Sequence, residues 1–302
     1  MDLKEKIKKL KEEKDAIILA HYYCPDEVQA IADYVGDSYY LSKVAATTNA
    51  RMIVFAGVRF MGESAKALNY NKKVCMVSAK ADCAMAHMAF VKDIEEMRSK
   101  YPDLAVVCYI NSTLELKKHS DVCVTSANAL KICKRIPNKN IYFIPDQNLG
   151  RYVKDNVTDK NVMLCEGYCP VHHLLDIEEV KRCQKAFPNA ITLAHLEVRK
   201  PVLELADEVG STSNLIDAVS RHPETNEFIV LTERGILYKL RNIYPDKKFI
   251  EVESTMCCMD MKLNTLENLY DVLLNETNEV LISEEDKDRA LFPLEEMLRY
   301  AK

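Results

Sequence analysis

Three cysteines, Cys83, Cys169 and Cys258, recur at intervals of 86 and 89 residues along a chain of 302. Three polar pairs recur in step with them: His21 and Tyr23, Tyr109 and Asn111, His195 and Glu197, at intervals of 88 and 86 residues. Thiolates, imidazoles and carboxylates are the side chains of metal binding and proton transfer, so coincident periods point to one composite site. A structural zinc site would want four ligands, usually from two local Cys-x-x-Cys or Cys/His pairs, and no such knuckle occurs here. Three thiolates from distant stretches suit an iron-sulfur cube with one iron left without a protein ligand. Such an iron is a Lewis acid. The bland alternative is that these are buried apolar cysteines, a common fate of a lone cysteine, but the threefold spacing weighs against it.

The same period brings in hydroxyls. Ser38 follows His21 by seventeen residues, Ser126 follows Tyr109 by seventeen, and Thr212 follows His195 by seventeen. Each precedes a helical pattern or ends a strand, where a hydroxyl and free backbone N–H groups can hold an anion without arginine. Capping alone would explain any one of them; three in register argue for a polyanionic ligand. His21, His195 and His172, three residues after Cys169, are candidate acids, bases or carboxylate donors. Glu197 is placed to take a carbon-bound proton and Tyr23 to shuttle one. His87, His119 and His222 have no such placement, and Cys24, Cys75, Cys108, Cys123, Cys133 and Cys183 are read as packing. Cys165 and Cys257 stay open, each being close to a proposed ligand.

The elements that must position these residues repeat too. A charged amphipathic helix leads into an apolar strand at Leu3 to His21, Asp93 to Ile110 and Asp176 to His195, the last two opening on the same Asp-Ile-Glu-Glu. Second strands are expected at Met52 to Ala56, Ile141 to Ile144 and Phe228 to Leu231, and third strands from about Lys73, Lys160 and Lys248, each running on to its cysteine. Strands alternating with helices predict parallel sheets covered by helices, whose carboxyl ends face a ligand crevice. The fold expected is therefore α/β: three homologous three-layer α/β domains with small parallel sheets around a pseudo-threefold axis, spanning 1–90, 91–175 and 176–302.

Composition narrows the partners. A net charge of -5, from 41 basic and 46 acidic residues spread throughout, speaks against nucleic acid or an anionic membrane. The apolar run Ala16 to Ala20 is too short for a signal-peptide core, and eleven mostly apolar-flanked cysteines suit a reducing cytoplasm. Only seven glycines occur, in no G-x-G-x-x-G or G-x-x-x-x-G-K pattern, which removes the usual nucleotide fingerprints.

The segments Leu-Ala-His-Tyr-Tyr, Ile-Ala-Asp-Tyr-Val-Gly-Asp-Ser, Tyr-Ile-Asn-Ser-Thr, Val-Thr-Ser-Ala-Asn-Ala, Gly-Tyr-Cys-Pro-Val-His, Val-Gly-Ser-Thr and Cys-Met-Asp-Met-Lys-Leu-Asn-Thr-Leu-Glu resemble, in order and over almost the whole chain, the quinolinate synthase family. The resemblance implies a triangle of three α/β domains around a 4Fe-4S cluster held by Cys83, Cys169 and Cys258. It implies condensation of iminoaspartate with dihydroxyacetone phosphate to quinolinate in NAD biosynthesis, with possible transient contact with the enzyme that makes iminoaspartate. By the same resemblance His21, Ser38, Tyr109, Asn111, Ser126, His195, Glu197 and Thr212 bind the dicarboxylate, Tyr23 and Glu197 form the acid-base pair, and His172 lies beside the middle cluster ligand. Tyr22, Cys24 and Leu196 depart from the family pattern, which touches loop shape more than chemistry. Two other readings compete: a redox or iron-sensing regulator switching at Cys257 to Cys258 or Cys165 to Cys169, and a zinc or cofactor-free hydrolase. The first leaves the triplicated hydroxyls idle, the second the cysteine triplet.

Overall fold

The computed structural model of the chain describes residues 2–254 and 256–302. It contains three four-stranded sheets, and every strand pairing within them is parallel. The first is built from β1 (Ala16–His21), β2 (Tyr34–Gly36), β3 (Met52–Ala56) and β4 (Lys73–Met76), in the spatial order β2-β1-β3-β4. The second repeats it with β5 (Leu104–Tyr109), β6 (Val122–Val124), β7 (Asn140–Ile144) and β8 (Asn161–Leu164), and the third with β9 (Ile191–His195), β10 (Glu208–Gly210), β11 (Glu227–Leu231) and β12 (Lys248–Ile250). The α/β class and the three small parallel sheets are as the sequence leads one to expect. Residues of β3 and β5 are buried without exception, the mark of strands covered on both faces by helices.

Each unit has one strand more than the apolar pattern announces. The extra strands β2, β6 and β10 are three residues long, too short to show a period. An aspartate pins each of them. Asp33, Asp121 and Asp207 each donate a backbone N–H at 3.0 Å to the carbonyl of Ile18, Val106 or Thr192. Their carboxylates accept the N–H of that same residue at 2.8, 2.7 and 2.8 Å, fifteen positions away in all three units. The lysine-led strands have an equally repetitive cause. Lys72, Lys160 and Lys247 place their ammonium groups on the carbonyls of Thr48, Ile136 and His222, at the ends of the helices Ser38–Thr47, Ala129–Arg135 and Thr212–Arg221. Cations there meet the negative end of the helix dipole.

Strand order reverses beside β1, β5 and β9, so the crevice of each sheet opens at the carboxyl ends of those strands, where His21, Tyr109 and His195 stand. After Lys262 the chain leaves the third sheet. The helix Leu266–Asn275 packs on the helix Leu3–Glu13, and residues 278–280 bond to the free edge of β4 (Met76 N–H to Asn278 O, 3.0 Å; Val280 N–H to Val74 O, 2.8 Å). The final helix, Glu284–Tyr300, lies across the helices Arg59–Leu68 and Leu114–Lys118 and along β6. The tail thus covers sheet edges that would otherwise offer unpaired backbone groups.

Candidate active site

All thirteen residues singled out in the sequence line one cavity: His21, Tyr23, Ser38, Cys83, Tyr109, Asn111, Ser126, Cys169, His172, His195, Glu197, Thr212 and Cys258. The three units contribute equivalent positions. His21 and His195 end equivalent strands and share one local geometry, with each Nδ1 accepting the backbone N–H two residues on, from Tyr23 at 3.2 Å and Glu197 at 3.3 Å. An accepting Nδ1 leaves the ring proton on Nε2. Burial pushes His21 down to about 3 and His195 down to about 4, so both are neutral imidazoles near pH 7.

Ser38 and Thr212 are the first residues of their helices, and the capping oxygens belong to their neighbours Asp37 and Ser211. The Ser38 and Thr212 hydroxyls are therefore free of capping duty. Thr212 Oγ1 lies 2.9 Å from the Tyr23 hydroxyl. In the second unit Asn111 Oδ1 and Thr125 Oγ1, both on the cavity wall, are buried without a partner in the protein. Buried polar atoms without partners are uncommon and call for a ligand. Among the described residues the cavity wall contains neither arginine nor lysine.

A chain of buried hydrogen bonds crosses the units. Tyr23 Oη lies 2.9 Å from Thr232 Oγ1, which lies 2.9 Å from His172 Nε2. His172 Nδ1 is 2.8 Å from Glu197 Oε2, and the Tyr109 hydroxyl donates to Glu197 Oε1 at 2.6 Å. Burial pushes the Glu197 carboxyl up, but the nearby His195 and His172, with the hydrogen bonds from His172 and Tyr109, outweigh it and hold the group below the usual carboxylate range. Burial drives the Tyr23 phenol well up, and the Glu197 charge adds to it. Near pH 7 Glu197 is therefore the ionised carboxylate and Tyr23 the protonated phenol. Thr232, which completes the chain, escaped the sequence reading because it has no like partner: Gly57 and Pro145 hold its place in the other units.

The cysteines are alike to a degree no spacing reveals. Each stands immediately before a single helical turn: Cys83 before Ala84–His87, Cys169 before Pro170–His173, Cys258 before Met259–Lys262. The turns close on the cysteine carbonyls, Ala86 N–H on Cys83 O at 3.0 Å, His172 N–H on Cys169 O at 3.2 Å and Lys262 N–H on Cys258 O at 3.3 Å, so no sulfur is spent on capping. Burial raises all three thiols, Cys83 to about 12 and Cys258 to about 11. A metal bound there would have to displace the thiol protons. Cys165 and Cys257 lie elsewhere. Cys165 Sγ donates to Met88 O at 3.4 Å, and Cys257 lines two other clefts, one with Arg234 and Arg241 and one with Leu174 and Met256. Neither reaches the cavity. Three half-buried thiols at helix starts, on a cavity wall that also includes Met61, Met85 and Met261, fit a soft-metal cluster with three protein ligands. Cys169 Sγ, His172 and a Glu197 oxygen also lie within 4.8 Å of one another.

Fold and site together define a triplicated α/β protein with one central pocket, walled by three equivalent cysteines and three equivalent polar strand ends. Sequence comparison agrees over nearly the full length. Residues 5–299 match the model of the family described as quinolinate synthetase A protein, and the chain belongs to that family. Among similar proteins are the quinolinate synthases of Fusobacterium nucleatum (50% identical, covering 99% of each chain), Caldicellulosiruptor bescii (48%, covering 98% of this chain and 97% of the other) and Clostridioides difficile (46%, covering 100% and 99%).

Proposed function

We propose that this protein is a quinolinate synthase, condensing iminoaspartate with dihydroxyacetone phosphate to quinolinate with release of phosphate and two waters. The observation that carries the reading is the meeting of three equivalent cysteines with three equivalent polar strand ends in one buried cavity. Cys83, Cys169 and Cys258 are the residues to hold a 4Fe-4S cluster, which supplies a Lewis-acidic iron with one position free of protein ligands.

The protein's own groups divide the remaining work. Neutral His21 and His195, through their Nε2 protons, and the Ser38, Ser126 and Thr212 hydroxyls donate to the carboxylates of iminoaspartate, with Tyr109 and Asn111 orienting it. Fixed neutral donors in a pocket without free cations grip a dicarboxylate while leaving it able to depart as product. Glu197, ionised and held by two hydrogen bonds, takes a carbon-bound proton. Tyr23 gives a proton to a departing hydroxyl, and Thr232 and His172 join the two groups. No helix among the described residues is long and apolar enough to cross a membrane, in keeping with a reaction on small soluble metabolites in the cytoplasm. The test is anaerobic purification followed by iron and sulfide counting and an assay for quinolinate from the two substrates. About four irons and four sulfides per chain with product formation support the reading; metal-replete protein that forms no quinolinate refutes it.

A further inference from the structure

A backbone N–H set back from solvent that no helix or sheet uses needs an acceptor, and the N–H of each cavity cysteine is such a group. The acceptor is a carboxylate in every unit. Asp146 Oδ2 accepts from Cys169 N–H at 3.2 Å, Glu233 Oε1 from Cys258 N–H at 3.1 Å, and Asp82 Oδ1 from Cys83 N–H at 2.7 Å. Asp146 and Glu233 occupy the same place, two residues beyond β7 and β11, and both are wholly buried. The first unit has Val58 there, and the bond passes to Asp82, the residue just before its cysteine.

We propose that Asp146 and Glu233 are positioning residues that hang the cysteine turns of the second and third units from their own sheets, and so fix where Cys169 and Cys258 present sulfur. The second oxygen of each carboxylate is already anchored. Asp146 Oδ1 accepts from Leu149 N–H at 2.7 Å, and Glu233 Oε2 from Gly235 N–H at 2.6 Å, so each cysteine is tied to the helix start that follows its strand. The bonds at 2.7 and 2.6 Å hold each carboxylate in place, and the bonds at 3.2 and 3.1 Å then hold the cysteine peptides to it. With the peptide fixed, only side-chain rotation remains to the sulfur. In the first unit the bond to Asp82 is local, and the segment before Cys83 is tied to the helix start that follows β3 by Arg59 N–H on Ala81 O at 2.9 Å instead. The inference rests on the proposed cluster for its purpose but not for its test.

The test uses full-length protein stripped of metal and reduced under anaerobic conditions, with iodoacetamide labelling of each cysteine followed by mass spectrometry. Asp146→Ala is expected to speed labelling of Cys169 severalfold while leaving Cys83 and Cys258 at the wild-type rate. Glu233→Ala is expected to do the same to Cys258 alone. Asp146→Asn, which keeps one oxygen for two donors, should fall between and covers the case in which the alanine variant does not fold. In reconstituted protein, loss of iron to a chelator should be about tenfold faster in Asp146→Ala, the effect expected of removing support behind a metal ligand. Unchanged labelling, or a rise at all three cysteines together, overturns the proposal. Wild-type protein that takes up no iron and sulfide would instead refute the cluster, whatever the labelling pattern.

Discussion

The first and third units end their central strands in nearly the same way and put the result to different use. In both, a buried neutral histidine takes its own backbone N–H two residues on, and in both that next residue turns into the cavity. In the first it is Tyr23, between two threonine hydroxyls; in the third it is Glu197, between His172 and Tyr109. One backbone frame thus carries a phenol at one position and a carboxylate at the other. Repetition supplies the geometry, and divergence at the tips supplies the chemistry. Gly235 shows how closely the two units are fitted: a Cβ there would stand 2.6 Å from Tyr22 O and 2.7 Å from Tyr23 Cα, so only glycine lets the third unit press on the strand end of the first.

The strongest way to break the comparison is to remove what the units contribute equally. Cys83→Ala, Cys169→Ala and Cys258→Ala should each abolish iron binding and turnover, whereas Cys257→Ala, outside the cavity, should retain both; iron analysis beside the quinolinate assay decides. Cluster loss in Cys257→Ala with retention in Cys258→Ala would reverse the assignment. Next come the residues in which the units differ. Glu197→Gln and Tyr23→Phe should keep their iron and lower kcat by about 10²- to 10⁴-fold, the usual loss on removing a general base or acid. Near-normal turnover in either variant would take that residue out of proton transfer.

A smaller effect tests the shared frame. His21 and His195 resist protonation in the folded protein, with values pushed down to about 3 and about 4 from an ordinary 6.5. The unfolded chain therefore binds protons that the folded one refuses, and stability should decline as pH falls below about 6.5, by up to ~1.4 kcal/mol per pH unit for each histidine. Thermal melts across that range should show a shallower decline in His21→Asn than in the parent; an identical slope would mean that the imidazole protonates freely. Smallest of all, Asp33→Ala and Asp207→Ala should each cost about 1–3 kcal/mol in denaturant unfolding, since each removal strands a backbone N–H of the central strand. A similar cost in both units would confirm that the pins are equivalent, and a cost in only one would show the repeat to be decorative there.

Much of this site was legible before any coordinates. His21 and His195, Ser38 and Thr212, and the three cysteines all stand at repeating intervals, and a repeat of one folding unit must return equivalent residues to equivalent places. Asp33, Asp121 and Asp207 were equally available to such a search, at a constant fifteen residues from their partners, but were hidden because a single aspartate between apolar runs reads as a turn. Thr232 and the carboxylates of Asp146 and Glu233 had no full set of counterparts to betray them.

The amino-acid sequence alone determined the number of units, the parallel sheets and the end of each sheet at which polar residues collect, because strand and helix periods are local properties of the chain. Tertiary structure decided that Cys258 rather than Cys257 faces the cavity, that the tail returns to the first and second units, and that Tyr23 and Glu197 are joined through a threonine between them. Those outcomes depend on side-chain direction and on distances between units, which only packing sets.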